Sequence, residues 1–179
     1  SGKVFVLHIP GEAVADRKGI AKLLGDVSLL STLGMKLVLV LGCRPQLDGR
    51  LKQRGISRVF AGGQRVTDRR TLDIALDAAM HVSTIVERVL HQGAYAPVKL
   101  QGNRTRVMTG NLVTAQPLGV VDGTDYCCTG KVRAIDTAKV RELLDNGDVV
   151  YLSNIAHSLS GKTYNCQSEE VAARCAELL

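Results

Sequence analysis

The sequence predicts an α/β fold: a three-layer α/β/α sandwich on a mainly parallel central sheet, carrying a hairpin-rich insertion. Three observations predict it. Val4–Ile9, Lys36–Leu41 and Asp148–Leu152 read as short strands covered on both faces. Helical patterns stand between the first two and after the second, and a β-α-β-α order implies parallel pairing. From Gly93 to Gly130 the chain turns rich in glycine and short β-like runs, such as Arg106-Val107-Met108 and Val120-Val121, which fit hairpins better than helices.

The elements follow in order. Pro10-Gly11 breaks the first strand. Ile20, Leu23, Leu24, Val27 and Leu30 recur at helical spacing, with Gly34 as the stop. Lys36–Leu41 ends in Gly42-Cys43-Arg44-Pro45, and residues 46–54 read as a further helix. Thr67-Asp68 can cap a long helix whose apolar stripe is Leu72, Ala75, Leu76, Ala79, Val82, Val86 and Val89. Asp136 can cap a short helix to Leu144, stopped by Asn146-Gly147. Ser168 can cap a last helix, with Glu169 and Glu170 in its first turn favouring the helix dipole. The chain opens on a strand and stops inside a helix, which predicts a larger parent molecule.

Composition narrows the function. The 179 residues suit one domain, and their 45% hydrophobic and 22% charged content is that of a globular protein. No run approaches the ~18 apolar residues of a membrane span, so no membrane partner is expected. A net charge of +6 favours anionic partners without naming one. Tryptophan is absent and aromatics are 3%, which removes the stacking platforms of a nucleic-acid binder. Five cysteines without a C-x-x-C pair indicate neither a disulfide framework nor a zinc site, and point to a reducing compartment. The four histidines show no ligand spacing, so no metal is expected. Asn103-Arg104-Thr105 fits a glycosylation sequon, which matters only in a secreted protein.

In open parallel sheets ligands bind beyond the carboxyl ends of strands. Three loops qualify: 8–12, 42–46 and 153–165. Residues 156–163 (Ala-His-Ser-Leu-Ser-Gly-Lys-Thr) read either as a relaxed phosphate-binding loop or as a surface hairpin with Gly161 at its tip. Gly42 stands where a strand turns into a helix, either to admit a ligand to the backbone or simply to make the turn. Arg65 precedes a capped helix, and either grips a carboxylate in a bidentate pair or forms a salt bridge to Asp68 or another neighbour. Asn165 and Glu169, an amide and a carboxylate four residues apart, suit a shared cleft as well as capping and solvation.

Several segments together carry a resemblance. They are residues 26–34 (Asp-Val-Ser-Leu-Leu-Ser-Thr-Leu-Gly), 42–48 (Gly-Cys-Arg-Pro-Gln-Leu-Asp), 65–68 (Arg-Val-Thr-Asp), 110–126 around Gly-Asn-Leu-Val-Thr and Asp-Gly-Thr-Asp-Tyr, and 168–172 (Ser-Glu-Glu-Val-Ala). With them the whole chain resembles the amino-acid kinase family, and within it the acetylglutamate branch that includes the N-acetylglutamate synthases. The resemblance implies an amino-acid kinase-like fold over residues 1–179, its amino-terminal lobe alone. A nucleotide lobe and a GNAT acetyltransferase domain would lie outside this stretch. It implies a regulatory and assembly role in a parent that transfers acetyl from acetyl-CoA to glutamate, the opening step of arginine biosynthesis. The partners it implies are a glutamate- or acetylglutamate-like amino acid, arginine as allosteric inhibitor, and other copies of the chain in a homo-oligomer. The compartment would be the cytoplasm, or a plastid in a plant or alga.

Acetylglutamate kinase and a non-catalytic amino-acid sensor are the competing readings. The departures from the family pattern bear on them. Kinases of the family carry a lysine near the end of the first strand, followed by two glycines; here His8 holds that position and Pro10-Gly11 follows. That lysine stabilises charge on the moving phosphoryl group. Kinases also carry aspartate where Glu169 stands. These differences weigh against phosphoryl transfer and imply no catalytic residue in this stretch. The substrate-binding positions carried over from the family are Gly42, Arg65 and Asn165.

Overall fold

The structure is a computed structural model that describes residues 2–92 and 105–179. The sequon at 103–105 and the first part of the glycine-rich segment therefore lie largely outside the described residues. The chain opens with β1 (Val4–Ile9), a short α1 (Gly11–Ala15) and α2 (Arg17–Thr32). It returns through β2 (Lys36–Leu41) and α3 (Arg44–Gln53), makes a hairpin of β3 (Phe60–Ala61) and β4 (Gln64–Arg65), and enters the long α4 (Arg69–Gln92). Then come β5 (Val107–Met108), β6 (Val113–Pro117), the hairpin of β7 (Val120–Val121) and β8 (Thr124–Asp125), and β9 (Gly130–Ile135). The rest is α5 (Thr137–Asp145), β10 (Val149–Leu152), the hairpin of β11 (Ile155–His157) and β12 (Thr163–Asn165), and α6 (Ser168–Leu178).

The central sheet has the order β1-β2-β10-β5, and every pair in it is parallel. Strand alternation divides the interior in two. Leu37, Leu39, Leu41, Val149 and Tyr151 pack with the buried faces of α1 to α4. Val38, Val40, Val150 and Leu152 point the other way, onto α5, α6 and a smaller sheet of order β12-β11-β6-β9. Helices thus flank both faces of the parallel sheet, as expected. Full burial of one such aliphatic side chain contributes roughly 1.5–3 kcal/mol. No helix among the described residues is long and apolar enough to cross a membrane.

Local signals set most boundaries. The last turn of α2 closes with Met35 N–H donating to the Leu30 carbonyl while Gly34 sits at φ +84°. That is the left-handed stop for which glycine has no steric cost. Gly147 (φ +81°) ends α5 in the same way. Asp136 caps α5 by accepting from the Lys139 amide at 3.0 Å, and Asp68 caps α4 by accepting from the Thr71 amide at 2.7 Å.

The structure corrects four expectations. Strand β1 lies at the sheet's edge and is only partly covered, with Phe5 45% exposed, whereas β2 and β10 are buried on both faces. Val107-Met108 joins no hairpin; it pairs in parallel with β10 and becomes the opposite edge. The stripe of α4 includes Ile74, Ala78 and Leu90, while Leu76 is only half-buried, because α4 packs against both α2 and α3. Ser168 does not cap α6; Gln167 holds that place with no side-chain bond, and Ser168 is the first helical residue.

The Asp68 cap carries a pH signature. The hydroxyl and amide of Thr71 hold the Asp68 carboxyl below its ordinary value of 3.8. A group with a depressed native pKa stabilises fully above its unfolded value, and that stabilisation is lost as pH falls through the native one. Asp68→Ala is therefore expected to be less stable than wild type near neutral pH. The difference should shrink as pH falls below 3.8 and vanish once Asp68 is protonated in the native state as well, as followed by urea unfolding across pH.

Candidate functional site

Parallel pairing aligns three strand ends. His8 of β1 and Leu152 of β10 both stand opposite Val40 of β2. The chain therefore leaves the sheet at one level three times, towards Gly11, Gly42 and Asn154. The β3–β4 hairpin and residues 165–169 face these turns. Between them lies an open cleft, lined among others by Gly42, Cys43, Arg65, Asn154, Asn165 and Glu169. The three substrate-binding positions predicted from sequence are thus brought to one place.

Gly42 is required by close packing. Its amide donates to the Ile9 carbonyl at 2.9 Å, and a Cβ there would lie 3.0 Å from Gly11 N and 3.1 Å from Ser168 Oγ. A Cβ on Gly11 would lie 2.6 Å from Pro45 Cδ and 2.9 Å from Arg44 N. The first two turns thus meet backbone to backbone. Space that glycine leaves beside the sheet is filled by the protein itself on this side.

His8 sits at the end of β1, where its Nε2 lies 3.0 Å from Ser168 Oγ. Ser168 Oγ in turn donates to Glu169 Oε2 at 3.2 Å, and Glu169 Oε1 lies 3.8 Å from Arg44 Nη2. This explains why Ser168 leaves α6 uncapped: its hydroxyl serves His8 and Glu169 instead. The Arg44–Glu169 pair is more than half exposed on both sides and contributes ~0–1 kcal/mol at most.

Arg65 is held differently. Its Nη2 donates to Asp48 Oδ1, its guanidinium lies 4.7 Å from the centroid of the Phe60 ring, and its side chain is 9% exposed. Asp48 also accepts from Arg58 at 3.1 Å. The partner of Arg65 is therefore Asp48, not Asp68, which is occupied in capping α4. Arg65 Nη1 is buried without a hydrogen-bond partner. An unmet buried donor is costly, so this edge of the guanidinium is a ready place for an acceptor from the cleft.

Asn165 ends β12 rather than lying on the helix with Glu169. Its Oδ1 accepts from Asn154 Nδ2 at 2.9 Å and its Nδ2 donates to Thr67 Oγ1 at 3.2 Å. Asn154 Oδ1 accepts from the Cys43 thiol at 3.5 Å. Burial pushes the Cys43 thiol up to about 11, against the lowering effect of its bond to Asn154, so it stays protonated at neutral pH. Burial likewise pushes Cys166 up to about 12. Cys43 is a hydrogen-bond donor and Cys166 a core group, and neither is placed as a nucleophile. Asn154, Cys43 and Thr67 were not singled out as binding residues from sequence. Asn154 stands just past a strand end, the one signal that pointed to it.

Residues 156–163 form no phosphate-binding loop. They are the β11–β12 hairpin, with Gly161 at φ +79° in the turn and Ser158 N–H donating to the Lys162 carbonyl at 2.8 Å. The strand β12 follows Lys162, where such a loop needs a helix N-terminus to face the phosphates. Among the described residues no group of three His, Cys, Asp or Glu side chains is placed to hold a metal ion. The cleft presents a guanidinium and amides, groups whose chemistry suits a polar anion.

These features define an open α/β domain whose site lies where the parallel strands of a kinase-like sheet end. The chain belongs to the amino acid kinase family, which it matches over residues 3–179. It is 40% identical over 172 residues to an amino-acid acetyltransferase of Pseudomonas fluorescens (strain SBW25), covering 96% of this chain and 39% of that protein. It is 41% identical over 175 residues to an amino-acid acetyltransferase of Vibrio atlanticus (strain LGP32), covering 98% and 39%. Among solved structures it is similar to N-acetylglutamate synthase from Neisseria gonorrhoeae complexed with coenzyme A and L-arginine. That match has a TM-score of 0.88 and 34% identity over 96% of this chain and 40% of the other. Carbamate kinase from Giardia lamblia bound to AMP-PNP shares the fold alone, at a TM-score of 0.64 and 13% identity over 99% of this chain and 68% of that one. The chain spans about two-fifths of the length of the acetyltransferases it matches.

Asp48 is the compensating charge for a nearly buried Arg65. Asp48→Asn is expected to lower stability by roughly 2–3 kcal/mol, less than the loss of a fully buried pair because Asp48 keeps some contact with water. Urea unfolding at neutral pH measures it, and Arg58→Ala, at the exposed side of the same carboxylate, should cost far less.

Proposed function

We propose that this chain is the kinase-like regulatory and assembly domain of an N-acetylglutamate synthase. The parent protein would move the acetyl group of acetyl-CoA to the α-amino group of glutamate. One observation carries the reading. His8, at the position implied for the kinases' lysine, is turned into a hydrogen bond with Ser168 while Gly11 and Gly42 close on each other. An imidazole so engaged lacks the extended ammonium arm that a lysine offers a phosphoryl group. The 40–41% identity to amino-acid acetyltransferases supports the same reading, and it is why acetylglutamate kinase is set aside.

In this reading the cleft holds the carboxylate of a glutamate- or acetylglutamate-like molecule, with Arg65 Nη1 and the Asn165 amide as donors and Gly42 lining its wall. Glu169, tied to Ser168 and Arg44, replaces the kinases' aspartate and has no chemical step to perform. The parent would contain a nucleotide-type lobe and a GNAT acetyltransferase domain outside residues 1–179. Arginine would act on it as an allosteric inhibitor, and copies of it would associate. The arginine-bound and acetylglutamate-bound structures of the gonococcal synthase support this assignment of ligands. Five free cysteines are in keeping with a cytoplasmic setting.

The full-length protein is expected to form N-acetylglutamate from glutamate in strict dependence on acetyl-CoA, and arginine should alter that rate or the assembly state. A radiometric acetylation assay with parallel light scattering reads both. No acetylation, together with no effect of arginine on melting or assembly, would overturn the reading.

A further inference from the structure

A single file of side-chain hydrogen bonds runs beneath the cleft. Cys43 Sγ lies 3.5 Å from Asn154 Oδ1, and Asn154 Nδ2 lies 2.9 Å from Asn165 Oδ1. Asn165 Nδ2 lies 3.2 Å from Thr67 Oγ1, the two threonine hydroxyls are 3.1 Å apart, and Thr129 Oγ1 lies 2.6 Å from the Arg65 carbonyl. These groups come from five separate places in the chain. Thr67, Thr129 and Asn154 are 0%, 3% and 5% exposed, so water cannot substitute for a missing partner.

The donors along the file run one way. A carbonyl oxygen only accepts, so the Thr129 hydroxyl donates to Arg65, with Thr67 Oγ1 as its second acceptor, and Thr129 Oγ1 accepts from the Thr67 amide at 3.0 Å. Thr67 Oγ1 also accepts from the NH2 end of Asn165. Asn165 Oδ1 faces the NH2 end of Asn154, and Asn154 Oδ1 accepts from the Cys43 thiol. The amide of Asn165 is thus held at both ends.

We infer that Thr67 and Asn154 are positioning residues that lock the Asn165 amide with its NH2 end towards Thr67 and its oxygen towards Asn154. One Nδ2 hydrogen is given to Thr67. No acceptor among the described residues takes the other, and Asn165 lines the same cleft as Arg65, whose Nη1 is unpartnered, so that the two would serve a carboxylate together. Turned over, the same amide would present an oxygen there and repel the anion. The inference rests on reading the cleft as a carboxylate site, and sets how that site selects its ligand.

The test is a double-mutant cycle on the full-length protein, read by urea unfolding at neutral pH. Asn154→Asp puts an acceptor against Asn165 Oδ1, which Thr67 prevents from turning away. Its unfolding constant is expected to rise roughly tenfold or more. In Thr67→Val, which is nearly isosteric, Asn165 is free to turn its NH2 to the carboxylate introduced at position 154. The penalty of Asn154→Asp should then shrink by roughly fivefold, as for directly coupled neighbours. If Asn154→Asp folds only alongside Thr67→Val, the coupling is upheld in stronger form. An equal penalty in both backgrounds overturns the directed file.

Calorimetric titration with N-acetyl-L-glutamate completes the test. The binding event at this cleft is the one that Arg65→Ala abolishes, which separates it from product binding at the acetyltransferase domain. Thr67→Val should raise its dissociation constant roughly tenfold; an unchanged constant overturns the positioning role. Coupling in the cycle without any Arg65-dependent binding to wild type upholds the locked amide and overturns the carboxylate reading of the cleft instead.

Discussion

Everything at the cleft depends on three parallel strands ending at one level. The register that sets His8, Val40 and Leu152 side by side is a backbone constraint. It exists because β2 is apolar on both faces and must be covered twice. Parallel neighbours need long crossovers, and those crossovers are the helices that do the covering. The same geometry sends three turns out at one edge of the sheet, where Gly11, Gly42 and Asn154 meet. The side chains proposed to bind a ligand then come from what lies opposite, the β3–β4 hairpin and the β12–α6 junction.

Two kinds of polar interaction operate there, and they differ in strength. The Arg44–Glu169 pair is open to water and adds little. Arg65, between Asp48 and the face of Phe60, is almost wholly desolvated, so its neutralisation is obligatory and its free edge is valuable. The chain of hydroxyls, amides and a thiol beneath it is largely buried and hydrogen-bonded along its length, which makes it rigid. A cleft with an arginine held this way, and no lysine at the end of β1, fits the proposed role of holding a ligand and reporting its presence.

Legibility in the sequence followed the range of the signal. The apolar spacing of α2, the runs at β2 and β10, the caps Asp68 and Asp136 and the stops Gly34 and Gly147 are local and were all readable. Gly42, Arg65 and Asn165 could be placed together because strand ends and family motifs both mark them. What escaped depended on partners distant in sequence. Nothing near Arg65 announces Asp48, and nothing near Ser168 shows that His8, 160 residues away, will take its hydroxyl. Edge and interior strands look alike in sequence, so the exposure of Phe5 and the pairing of Val107-Met108 with β10 emerge only in the assembled sheet. The Gly161-Lys162-Thr163 run shows the opposite case, a local pattern whose meaning is decided by the strand that follows it.

The central claim is that the end of β1 no longer serves phosphoryl transfer. Its most direct test is transfer of labelled γ-phosphate from ATP to N-acetylglutamate by the full-length protein with magnesium, separated by chromatography. The account predicts no acetylglutamyl phosphate above the enzyme-free blank. Sustained, enzyme-dependent formation of that product by the protein with His8 intact would contradict it.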